Sequence, residues 1–124
     1  MSEMLLWIYL FNSVLLIIHE IDSAYWKEWD LFRLPGGITV FLILHFPIIF
    51  LILYGLILVF QHSFAGFIFS LLISFGGMFA FAIHMFFIKR GRNEFKTFIS
   101  LFILSATLIV SIIQTIITVY LMVI

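Results

Sequence analysis

Imidazoles and carboxylates recur in an otherwise apolar chain, and their spacing is the first clue to chemistry. His19, Glu20 and Asp22 close the first apolar run, His45 lies inside the second, His84 lies near the end of the third, and Glu94 precedes the fourth. The chain holds no cysteine. Imidazole with carboxylate and no thiolate is a donor set that suits a divalent transition metal such as zinc, iron or manganese. His19, Asp22, His45 and His84 are the candidate ligands. Glu20 and Glu94 are the candidate acid–base carboxylates. A metal held there would act on a lipid or small lipophilic substrate, activating water or oxygen. Inside a bilayer an ionisable group costs roughly 2.5–3.5 kcal/mol on insertion scales, so each needs a partner or a task.

The elements that must position these groups follow from composition. The 124 residues are 65% hydrophobic and 10% charged, with a mean hydropathy of +1.33. Soluble chains run at roughly 45–50% apolar and about 25% charged. Two breaks, Leu34-Pro35-Gly36-Gly37 and Gln61-His62-Ser63, and the polar stretches around Lys27 and Arg90 leave four apolar runs. They cover about 4–21, 38–60, 64–88 and 95–124; the first is short for the ~20 residues a helical span needs, and the others reach or exceed it. None alternates in polarity as barrel strands do. The expectation is an all-α polytopic membrane protein: an antiparallel bundle of four transmembrane helices forming one domain over residues 1–124. The first run lacks a basic leader and a small-residue cleavage site, and is read as retained.

The basic residues give an orientation. Lys27 and Arg33 lie between the first two spans, and Lys89, Arg90, Arg92 and Lys96 lie between the last two. The termini and the 61–63 joint carry none. The positive-inside rule then puts both termini outside and both basic loops in the cytoplasm, here of a bacterial cytoplasmic membrane. Tyr25, Trp26 and Trp29 suit an interfacial aromatic belt, and Arg90 and Arg92 suit contact with anionic headgroups. His62 falls at the opposite face as a loop residue.

Each span therefore carries a histidine or carboxylate in the same half of the bilayer. At 1.5 Å per residue they fall within about 10–12 Å of the cytoplasmic interface, where a bundle interior could gather them. His19 shares a helical face with Asn12, Asp22 and Ser23, whereas Glu20 is turned about 100° away. His84 shares a stripe with Gly77, Ser74 and Ser70. Pro47 frees the carbonyl of Ile43 and is expected to kink the second span. The fourth span has a polar stripe of Thr97, Ser100, Thr107, Ser111, Gln114, Thr115 and Thr118, with Glu94 at its edge. Gly66, Ser70, Gly76, Gly77 and Ala80 read as packing surface, within the monomer or between the protomers of a homo-oligomer.

Several classes are excluded. Six Lys and Arg at zero net charge give no nucleic-acid surface. There is no phosphate-binding glycine loop, nucleophile elbow or HExxH zinc motif.

The stretch His19-Glu20-Ile21-Asp22-Ser23-Ala24 with Glu28-Trp29 resembles an uncharacterised family of short bacterial integral membrane proteins. That family is marked by His-Glu-Leu/Ile-Asp at the end of its first helix and a following Glu-Trp. The likeness continues at Leu44-His45-Phe46-Pro47, His84 and Glu94-Phe95. His19 and Asp22 are also loosely similar to the HxxEE group of membrane proteins, whose two adjacent acids are Asp22-Ser23 here. The resemblance implies a four-helix membrane fold with these histidines and acids as its signature, and no established activity.

Two other functions use the same residues. A proton- or cation-coupled transporter would continue polar residues toward the outer face, as Ser111, Gln114 and Thr118 do. A non-catalytic accessory or immunity-type subunit would use the cluster for assembly with a partner. The orientation itself is open to test, because any introduced cysteine is unique. Gln61→Cys should react with a membrane-impermeant maleimide on intact cells, and Asn93→Cys only after permeabilisation. The reverse labelling would invert the topology.

Overall fold

The computed structural model describes residues 2–124. Its helices are α1 (Ser2–Tyr25), α2 (Glu28–Leu31), α3 (Gly37–Phe60), α4 (Phe64–Lys89) and α5 (Phe98–Val123). No strand occurs among the described residues. Four of these helices, α1, α3, α4 and α5, are long and apolar enough to cross a membrane. Each packs on two neighbours in a closed ring, α1 on α3 and α5, and α4 on α3 and α5. The side chains facing outward are Phe, Ile, Leu and Val almost throughout.

The helix limits differ from those read off hydropathy, for local reasons. Helix α1 runs a turn past Ile21 because backbone hydrogen bonding does not require apolar side chains; Trp26 N still donates to Asp22 O at 3.1 Å. Helix α5 starts after Phe95, whose φ of 67° lies outside helical space. Thr97 caps it, accepting from Ser100 N at 3.3 Å. The short α2 was not expected from the sequence. Lys27 and Arg33 flank it with left-handed φ of 53° and 56°. Helix α3 stays continuous through Pro47.

The interior is polar in its middle. Asn12 Nδ2 donates to Ser111 Oγ (3.1 Å) and Gln114 Oε1 (2.9 Å). Gln114 Nε2 in turn donates to the carbonyl and hydroxyl of Ser70, both at 3.0 Å, and Ser70 Oγ lies 2.7 Å from Thr118 Oγ1. These residues are fully buried. Leu5, Tyr9, Val59 and Ile117 close the end near the 61–63 turn. Leu31, Phe95 and Leu104 close the end that carries the basic connections.

Small residues let backbones approach where hydrocarbon supplies no force to press helices together. At Gly66 an added Cβ would stand 2.8 Å from Leu58 O, so α3 and α4 meet closely beside their turn. At Gly77 it would run into Ser111 Oγ and Thr107 Cγ2 on α5. At Gly76, one residue away, it would meet nothing within 4 Å. Gly76 therefore takes no part in packing within the monomer. Gly77→Val should destabilise the bundle by about 1–3 kcal/mol through overpacking, read as a lower unfolding temperature in detergent. Gly76→Val should unfold close to wild type. Equal losses at the two positions would contradict this helix rotation.

Candidate functional site

At the end bearing the basic connections, α1, α2 and α3 each deliver one side chain to a common point, and α4 places a fourth beside it. Glu20 comes from α1, Glu28 from α2, His45 from α3 and His84 from α4. His45 Nε2 lies 2.5 Å from Glu20 Oε2. One donor atom each from Glu20, Glu28 and His45 lie within 4.8 Å of one another. His84 Nε2 stands 3.8 Å from Glu28 Oε1.

The two rings are held in the same way. His45 Nδ1 lies 2.7 Å from Phe41 O, and His84 Nδ1 lies 2.7 Å from Ala80 O. A carbonyl can only accept, so the hydrogen in each contact sits on Nδ1. In the neutral ring this leaves the Nε2 lone pair of His84 on the side of Glu28, whereas the 2.5 Å contact of His45 Nε2 with Glu20 Oε2 holds one proton between the two atoms, the place a bound cation would take. A backbone carbonyl that fixes the tautomer through the other ring nitrogen is the usual support of a metal-ligating histidine. Phe41 stacks on His45 at 3.9 Å between centroids. His84 is wedged edge-on between His19 (4.8 Å) and Phe95 (4.2 Å).

Unsatisfied polar atoms concentrate at this end. Among the described residues, His19 Nδ1, Asp22 Oδ2, Ser23 Oγ, Glu28 Oε2 and His84 Nε2 are buried without a hydrogen-bond partner. Leaving such a group unpaired costs about 1–3 kcal/mol. Carboxylate oxygens and imidazole lone pairs dominate the set, so its demand is for positive charge, and its hard and borderline donors suit a divalent transition metal. A cavity of about 200 Å³, lined by Trp29, Pro35 and Phe41, reaches Glu28 and His45 from the α2–α3 connection.

The residues singled out by sequence divide accordingly. Glu20, His45 and His84 come together with Glu28. His19 is buried against His84 rather than in the three-residue group. Asp22 lies nearby on α1, its Oδ1 accepting from Trp26 Nε1 at 3.0 Å. Glu94 is not brought to the group. Arg92 donates to it from Nε (3.1 and 3.2 Å) and Nη2 (2.6 Å). Those hydrogen bonds hold the Glu94 carboxyl below its usual range and raise the Arg92 guanidinium.

Sequence reasoning missed Glu28 as a site residue because it lies beyond the end of the first span. The left-handed turn at Lys27 starts α2 and folds Glu28 back toward the bundle. The one signal for it was its place beside Trp29 in the motif following His19-Glu20.

The profile of a family of unknown function, DUF6713, matches residues 5–121. The chain belongs to that family. The matched span takes in Glu20, Glu28, His45 and His84. No curated protein and no solved structure matches the chain.

Proposed function

We propose that this is a membrane-embedded metal-binding protein. Glu20, Glu28 and His45 would hold a divalent transition metal, zinc, iron or manganese, with His84 as the adjoining ligand. The observation that carries this reading is the convergence of three donor atoms within 4.8 Å on three separate elements. The carbonyl-fixed tautomer of both histidines supports it.

Such an ion supplies Lewis-acid or redox chemistry toward a lipid or lipophilic molecule. The chain's own residues bind and orient it. Phe41 sets the ring plane of His45, Leu31 and Phe95 shut water out above the site, and Glu28 Oε2 remains as a base. Glu94, engaged by Arg92, is left out of that chemistry. The proposed setting is a bacterial cytoplasmic membrane, with the site in the cytoplasmic leaflet beside the basic connections.

A second reading, proton- or cation-coupled transport, draws on the buried polar chain from Asn12 through Gln114 to Thr118. It predicts cation flux in proteoliposomes that His45→Ala abolishes.

Metal content separates the two roles. Protein purified on a non-histidine tag without chelator should carry close to one equivalent of transition metal by mass spectrometry. Even outer-shell substitutions at metal sites cost 10–100-fold, so Glu20→Gln, Glu28→Gln and His45→Ala should each lower occupancy by about tenfold or more. Glu94→Gln should leave it unchanged. A folded, metal-free wild type would refute the proposal.

A further inference from the structure

A second cavity, of about 310 Å³, lies between α3 and α4 with α1 as its floor. Leu16 and Ile52 form the buried floor, and Ile48, Leu51 and Leu72 form an exposed rim. Among its described lining residues Glu20 alone is polar. The volume is at the lower end of the ~300–1,000 Å³ of small-molecule sites. The groove is closed toward the 61–63 turn, where Gly66 packs on Leu58 and Gly55 packs on Phe69. Its length along α4, from Phe69 to Ala80, is roughly 16 Å at 1.5 Å per residue. It is therefore a blind apolar slot, open sideways, with a carboxylate near its other end.

Gly76 lines this slot. Glycine is a poor helix former; close packing accounts for Gly55, Gly66 and Gly77, and a left-handed φ of 58° accounts for Gly37 at the start of α3. Gly76 meets nothing. What its missing side chain does is leave the slot open between α3 and α4. Alkane alone would gain nothing from ending at a carboxylate, whereas an amphiphile has one end for each environment. Glu20 is also the residue that joins the slot to the metal-binding group, through His45.

We infer that the slot seats the acyl chain of a single-chain lipid admitted sideways from the bilayer, with its oxygen-bearing head reaching the metal beside Glu20. The placement of the head rests on the metal-binding reading above, and the placement of the chain does not.

The test uses full-length protein in phosphatidylcholine nanodiscs doped with palmitic acid, supplied with zinc and released for native mass spectrometry. Wild type should retain one zinc and one palmitate. Gly76→Leu should fold, keep its zinc and lose palmitate retention by about tenfold, because its side chain occupies space the chain would fill. Phe75→Leu, altering the exposed neighbour that lines a different surface, should retain both. Palmitate kept equally by Gly76→Leu, or absent from wild type, would overturn the slot while leaving the metal site intact. Palmitate retained without zinc, and displaced by Gly76→Leu, would overturn the metal site and uphold the slot for the chain.

Discussion

In hydrocarbon a buried amide or hydroxyl must find its partner inside the protein, and the link from Asn12 Nδ2 through Gln114 to Ser70 meets that requirement for every group but the Asn12 Oδ1 atom. It ties α1, α5 and α4 through side-chain hydrogen bonds between fully buried residues. Close contacts at Gly77 then follow from the register it fixes. Helix α3 stands outside this network. Tyr9 holds it by donating to Ile52 O at 2.8 Å, and Glu20 holds it through His45. The helix least bound to the polar core is thus the one that borders both the metal-binding group and the lateral slot.

The two polar regions are built from similar residues with opposite outcomes. In the middle, most donors meet acceptors and the result is a clamp. Near the basic connections, carboxylate oxygens and imidazole nitrogens outnumber the hydroxyls, and backbone carbonyls turn two imidazoles so that their Nε2 atoms join the carboxylates. The composition of the second region favours a cation over a further hydrogen bond.

Much of this was legible in the sequence. Run lengths gave four spanning helices, and counting along them gave the common depth of Glu20, His45 and His84, because rise per residue is fixed. Azimuth was not legible. Gly76 and Gly77 look alike in a sequence, yet one touches α5 and the other faces open space. Glu94 has the right depth, but Arg92 two residues away captures it locally. Glu28 lay beyond the span, and only the left-handed turn at Lys27, a tertiary choice that hydropathy does not record, returns it to the site. The end of α1 was likewise hidden, since helical hydrogen bonds continue past the last apolar residue.

The central claim is that carboxylates and imidazoles from separate elements share one ion. X-ray absorption at the zinc edge of the zinc-loaded protein tests it most directly. The account predicts a first shell of nitrogen and oxygen at about 2.0–2.2 Å, with the outer-shell scattering of imidazole from His45 and His84. A shell of oxygen alone, unchanged in His45→Ala, would mean zinc held at some other surface and would contradict it.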